Sequence, residues 1–506
     1  MPLFRFICNR PLQAAGTDMR NTIIVIIALA IVAVILSLPT PEGLSGQGQV
    51  LLAVTGGMLV LWISQAVDFS ASSFYLIGLI ALCCGLAENP SNPGHMLGAV
   101  QGVRLAMQGF ATPAWILVAC ALFLAAVVDS SGLGKRLSLK LLALAGTSPR
   151  QILLATLCLT LLLSLIIPSP AANSGLCTVL MLSVVRLLQI PLSSNLAKGI
   201  FLITAFGPAL STLMILTAGG GPVQTAAFIY QGTGRDLSWL EFAVYGVPMT
   251  LGLCLSLYLL LQRLFPIGKN ALPEVKKLIC EAMDECGPFR RKEKSIAVIL
   301  LITIPLWATA KVLHPFDPAT IALLAVAAVF CPGVMDSNFA PAWKALSNKV
   351  AWGTMMLFGA VLSLGQALLD SGAAAWLARA TLVRMGMAEW PLPAIILAGS
   401  LLFALFGLAF SARSAAIGAL TPTIIGFAQS LPPERQVPVW GLTLVMNYAV
   451  QFAIIFPANS PMAMIAITSN SFSSRDMIRL AMPLCLSGFA LLLLLSYTWW
   501  PWLGVL

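Results

Sequence analysis

Charge is what this chain has least of. Only 9% of its 506 residues are Asp, Glu, Lys or Arg, against about a quarter in an ordinary soluble domain. So few charges cannot cover a water-facing surface, and a soluble globular fold is excluded. Histidine is nearly absent, with two residues, His95 and His314. The 11 cysteines show no Cys-x-x-Cys spacing, so no His/Cys metal site is indicated. Eight of them (Cys83, Cys84, Cys120, Cys158, Cys177, Cys254, Cys331 and Cys485) lie in apolar runs and read as small packing residues. The apolar runs hold no His-Glu-x-x-His, no Gly-x-Ser-x-Gly and no carboxylate pair, which argues against an enzyme. The net charge is +10, but the basic residues stand between apolar segments, where they act as topology signals rather than as a nucleic-acid surface.

What is present is apolar length. Hydrophobic residues make up 59% of the chain and the mean hydropathy is +0.94, which predicts an all-α polytopic membrane protein. The first run, "NTIIVIIALAIVAVILSL", is long enough to span and has no cleavage site ahead of it, so it reads as a helix rather than a removed signal. Further runs fall at 49–66, 73–87, 113–130, 239–262, 296–313, 317–334, 350–369 and 478–503. Two more, 151–189 and 392–429, are broken by "IIPSPAANSG" and "FSARSAAIGALTP" and predict re-entrant hairpins. The runs 198–230 and 437–469 contain "LTAGGGPVQT" and "IIFPANSPMA" and predict helices unwound in the middle.

Charge bias orients this layout. With residues 1–21 in the cytoplasm, about 21 of the 28 Lys and Arg residues fall inside. Many lie in a basic loop, 263–295, where "PEVKKLICEAMDEC" reads as an amphipathic helix on the inner surface. Trp499, Trp500 and Trp502 suit the outer interface. The expected location is the cytoplasmic membrane of a bacterium.

The breaks come in pairs offset by about 240 residues, and the first hairpin opens inward while the second opens outward. The halves 22–262 and 296–506 therefore form an inverted repeat, the pattern of a secondary transporter with a site at the membrane midplane. Half-helix N-termini suit anions and unwound carbonyls suit small cations. A cation/proton antiporter of related architecture would need Asp or Glu at the breaks, and these carry none.

At this point the chain resembles the divalent anion:sodium symporter family. The stretches "LVLWISQAVDFSASSFYLIGLIALCCGL", "MQGFATPAWILVACALFLAAVVDSSGLGKRLSLKLLAL" and "RLAMPLCLSGFALLLLLSYTWWPWLGV" are similar to its helices. The resemblance implies about eleven spanning helices plus the two hairpins, an elevator motion and a homodimer. It implies small organic anions, di- or tricarboxylates, as substrate. The family's hairpin tips carry Ser-Asn-Thr. Here they read Ser169-Pro170-Ala171, with Asn173 and Ser174 following, and Ala412-Arg413-Ser414. The unwound segments read Gly219-Gly220-Gly221-Pro222-Val223-Gln224-Thr225 and Pro457-Ala458-Asn459-Ser460-Pro461.

An Arg at the bilayer centre costs about 3 kcal/mol or more, so Arg413 needs a purpose. At a predicted anion site its guanidinium can hold a carboxylate through two parallel hydrogen bonds, in place of the sodium ion that the resemblance implies. The candidate substrate-binding set is Ser169, Asn173, Ser174, Thr225, Arg413, Ser414, Asn459 and Ser460. No cofactor is implied, and a sodium ion near Ser169, Asn173 and Gly219 stays open. An empty carrier would cross with Arg413 unneutralised, which favours exchange of anions over sodium-coupled symport. The structural alternative is an ion pair between Arg413 and Asp68, Asp129 or Asp370.

Overall fold

The computed structural model describes residues 10–506 apart from 90–91, 93, 145–147, 269–280, 282, 285, 335–342 and 345. Most of the predicted amphipathic segment 273–286 lies outside the described residues, as does the start of the N-terminal segment 1–21. Among the described residues the chain is all helix and loop, with no strand. Among the described residues, eight helices are long and apolar enough to cross a membrane.

In chain order the helices are α1 (Arg10–Ser37), α2 (Gly46–Ser64), α3 (Phe69–Leu86), α4 (Ala99–Met107), α5 (Pro113–Ser131), α6 (Leu133–Leu144) and α7 (Pro149–Ile166). Then come α8 (Pro170–Leu187), α9 (Asn195–Ser211), α10 (Gly220–Thr233), α11 (Trp239–Leu264), α12 (Arg291–Thr309), α13 (Pro318–Val329) and α14 (Trp352–Asp370). The last are α15 (Ala373–Ala378), α16 (Leu392–Gly407), α17 (Arg413–Gln429), α18 (Val439–Phe452), α19 (Pro461–Ile467), α20 (Ser474–Tyr497) and α21 (Trp499–Trp502).

The helices gather into two compact units. The first holds the described residues up to Thr112, Trp352–Ala388 and Ala409–Pro432. Here α14 packs on α3 and α17, and α15 packs on α17. Close approach is bought with glycine at Gly426, where a Cβ would lie 2.7 Å from the Ala374 backbone. Trp62 and Phe410 meet at 6.4 Å between ring centroids.

The second unit holds Pro113–Ala351, Glu389–Leu408 and Pro433–Leu506. Its centre is α9 and α18, which bury every side from Ile200 to Ser211 and from Gly441 to Phe452. Helices apolar on all sides are core or membrane helices. Around them, α7 and α8 pack on α9, and α16 packs on α18 and α20. The segment 392–429 is thus divided between the units: α16 belongs to the second and α17 to the first.

Both runs expected to be unwound are broken. The run 198–230 is α9, a short 3-10 turn at Leu216–Ala218, and α10. The run 437–469 is α18, a turn at Pro457–Asn459, and α19. These two broken rods pair crosswise, α9 on α19 and α10 on α18. Two rods paired this way run antiparallel, and their interruptions lie abreast.

Candidate functional site

The first hairpin turns at Ile167-Pro168-Ser169, where Pro170 starts α8 and ends any continuation of α7. Pro at the first helical position wastes no N–H, since that donor has no partner within the helix. Ser169 caps α8, its Oγ accepting from the Ala172 amide at 3.3 Å. Below the tip, Asn173 is 0% exposed and ties the hairpin together. Its Nδ2 donates to the Thr160 carbonyl and to Ser164 Oγ, both at 2.8 Å. Ser211 Oγ donates to the same Ser164 hydroxyl at 2.7 Å. The Asn173 carbonyl oxygen accepts from the Cys177 thiol at 3.3 Å. Reversing the amide would set its oxygen against the Thr160 carbonyl, so the orientation is dictated by its partners.

Ser174 Oγ reaches away from the hairpin and donates to the Met462 carbonyl at 3.1 Å, joining α8 to α19. At the first break, Gly219 lies against the tip: a Cβ there would stand 2.9 Å from Cδ of Pro170. Its backbone is extended, φ 176°, so glycine is required by the close approach alone. The N-cap of α10 offers no side-chain acceptor, which leaves the amides of Gly219, Gly220 and Gly221 as a bare, glycine-lined N-terminus. Such a turn carries partial positive charge and accepts an anion. At the second break Ser460 caps α19, its Oγ accepting from Ala463 at 3.3 Å.

Three amide side chains near these breaks have no partner at either end. They are Gln224, Gln451 and Asn459, exposed by 0%, 4% and 3%. Gln224 is in the first turns of α10, Gln451 in the last turn of α18, and Asn459 in the second break. Burying a polar group unsatisfied costs about 1–3 kcal/mol. Three of them at two adjacent interruptions leave donors and acceptors there for a water or a polar ligand to meet. Sequence reasoning passed over Gln224 and Gln451. The signal was a primary amide inside an otherwise apolar run, which is costly in a membrane.

The eight predicted site residues divide between the units. Ser169, Asn173, Ser174, Thr225, Asn459 and Ser460 stand on the second unit with Gly219, and Arg413 and Ser414 on the first. Thr225 is buried and donates to the Gly221 carbonyl at 3.1 Å. Arg413 and Ser414 are half-buried and open α17, whose N-cap, Ala412, supplies no side-chain bond. A cation at a helix N-terminus meets the unfavourable end of the dipole. Two of the acids considered as structural partners are engaged elsewhere. Asp129 pairs with Lys349 at 2.6 Å, and Asp68 caps α3.

A sodium ion needs several free oxygen ligands. At the first hairpin the Asn173 oxygen faces Cys177, Ser164 Oγ already takes two donors, and Ser169 Oγ faces an amide hydrogen. Each of these three oxygens already has a hydrogen-bond partner, and the unpartnered side-chain oxygens at the two breaks are those of Gln224, Gln451 and Asn459. No group of three or more His, Cys, Asp or Glu forms a metal site among the described residues.

A family model described as "Sodium:sulfate symporter transmembrane region" matches residues 19–506. The chain belongs to this family. It is a membrane transporter protein by that membership. A "Membrane protein" of Cupriavidus necator is 32% identical, over 94% of this chain and 92% of that one. "Dicarboxylate transporter 1, chloroplastic" of Spinacia oleracea is 26% identical over 78% and 67%. An "L-tartrate/succinate antiporter" of Escherichia coli is 22% identical over 94% and 96%. Among solved structures, the Alcanivorax borkumensis YdaH transporter shares the fold, with a TM-score of 0.55 and 16% identity over 88% of this chain and 99% of that one.

Proposed function

We propose that this protein exchanges one small organic dianion for another across the cytoplasmic membrane, without sodium at the first hairpin. The observation that carries the reading is the antiparallel pair of broken helices, whose abreast interruptions present a bare glycine turn and three unsatisfied amides. The glycine turn at this place favours an anion. The names of the chloroplast dicarboxylate transporter and the tartrate/succinate antiporter support both the substrate class and exchange.

In this reading Gly219–Gly221, Thr225, Asn459 and Ser460 hold the anion, with Ser169 at the tip. Asn173 and Ser174 position that tip. Arg413, with Ser414, supplies a fixed positive charge to the transport cycle. An ion in that role would leave with the substrate; an arginine cannot. Return with a second anion bound is the cycle that the name of the tartrate/succinate antiporter supports. The carrier works as a homodimer, by an elevator motion, with its N-terminus inside.

The test is uptake of radiolabelled succinate into proteoliposomes, with and without internal succinate and with and without sodium. Uptake that requires internal anion and ignores sodium is the expected result. Uptake driven by a sodium gradient into empty vesicles would establish instead the symport named in the family's description.

A further inference from the structure

The three unsatisfied amides say more than "anion". A carboxylate is an acceptor only, whereas a primary amide offers two N–H donors and one carbonyl acceptor. An unsubstituted dicarboxylate satisfies the amide NH2 groups of Gln224, Gln451 and Asn459 and the backbone N–H groups of Gly219–Gly221. It leaves three buried carbonyl oxygens (Gln224 Oε1, Gln451 Oε1 and Asn459 Oδ1) with nothing to accept from. A ligand with a donor between its carboxylates gives one of these oxygens, on Gln224 or Gln451, a partner that an unsubstituted dicarboxylate lacks.

Resting on the anion-exchange reading above, we propose that the paired breaks select hydroxylated dicarboxylates, with Gln224 and Gln451 as the residues that read the hydroxyl. A hydroxyl donates once and accepts twice, which matches an amide on each side of it. Gln224 comes from the first half of the chain and Gln451 from the second. Crosswise pairing of α10 on α18 brings their helices together. Each glutamine is separated from the glycine turn or the second break by only a few residues. Carboxylate recognition by the backbone and hydroxyl recognition by the amides are therefore distinct functions of one place. A site that hydrogen-bonds a substrate hydroxyl rejects the analogue lacking it, because its own polar groups are then stranded.

The experiment compares L-malate with succinate, which differ by one hydroxyl. Half-saturation is measured for each as the external anion in counterflow, using vesicles preloaded with malate. In parallel, each anion's shift of the melting temperature is read on the detergent-purified full chain. The wild-type protein is expected to favour malate by at least about tenfold. In Gln224→Met and Gln451→Met, which keep volume and remove both polar atoms, the ratio falls toward one. Equal handling of the two anions by the wild-type protein overturns the inference while leaving anion exchange standing. So does a preference that survives both variants. If neither anion moves or shifts the melting temperature, the anion-exchange reading fails and takes this inference with it. Should the variants not insert, the wild-type comparison decides alone.

Discussion

Ser169 and Ser460 cap two helices with the same backbone geometry, φ −149° and ψ 110° in one, φ −145° and ψ 109° in the other. Each is followed by proline, and each accepts from the amide three residues on. One is a hairpin tip and the other the end of an unwound segment, and their helices α8 and α19 pack together. An N-cap is worth about 1 kcal/mol. Ser460→Ala is expected to cost at least that much because Ser460 is fully buried, and Ser169→Ala to cost less. Melting temperatures of the purified variants check the order. Equal losses, or none, would show that the caps are incidental.

Gly219→Ala places a methyl group 2.9 Å from the Pro170 ring, forcing the hairpin tip and the first break apart. Transport should fall by at least about tenfold, since displacing a binding group by about 1 Å can cost a hundredfold. The folded state should tolerate the change better than transport does. Uptake rates alongside melting curves separate the two, and unaltered uptake would mean that the contact has no functional weight.

Arg136 and Glu293 form a buried pair at 3.2 Å in the second unit. Arg136 also donates to the carbonyls of Gly287, Cys286 and Pro288 and lies over Phe289. Breaking a buried pair costs about 3–5 kcal/mol. Glu293→Gln leaves the guanidinium its carbonyl acceptors and should cost less than that. Arg136→Met strands the carboxylate with the Arg290 amide and should reach the full figure. Chemical or thermal denaturation of both variants tests the asymmetry, which would be refuted by Glu293→Gln being the worse.

Arg413→Lys keeps the charge but loses the planar fork. It should keep the need for internal anion, whereas Arg413→Gln should weaken that need. Uptake into empty vesicles by Arg413→Gln is the diagnostic measurement. Unchanged dependence on internal anion would remove Arg413 from the coupling scheme.

Asp68 accepts from the amides of Ala71 and Ser70, and these bonds hold its carboxyl below the ordinary carboxylate value. The folded state then binds this proton more weakly than the unfolded chain. The contribution is full above about pH 4, the unfolded value, and is lost as pH falls through the lower folded value. Asp68→Asn retains an acceptor without the titration. Its acid unfolding curve should be flatter over that range than the parent's, and superimposable curves would contradict the assignment.

The breaks were the most legible part of the sequence. Pro168, Pro170, Gly219 and Pro461 interrupt apolar runs that would otherwise continue: α7 ends just before Pro168, and α8, α10 and α19 begin at Pro170, Gly220 and Pro461. Proline removes a donor and glycine permits close approach whatever surrounds them. The short helices were not legible. Residues 133–144 carry Lys135, Arg136 and Lys140 and resemble a charged loop, yet they form α6, because Arg136 turns inward to Glu293. Run 317–334 shortens to the 12 residues of α13, whose end precedes Pro332 and Gly333. Gln224 and Gln451 escaped notice because an isolated amide in an apolar run is tolerated when a partner exists. Only the packed structure shows that these two lack one.

The crosswise pairing of the broken helices also bears on how the protein is made. The helices on either side of the first break, α9 and α10, pack on α19 and α18, which the ribosome adds roughly 240 residues later, some 10–50 s at ordinary elongation rates. Throughout that interval the first interruption must be sheltered by the insertion machinery or by its own hairpin. A chain truncated before Val439 would insert most of its spans and still leave the exposed amides of α10 as a mark of incompleteness for membrane quality control.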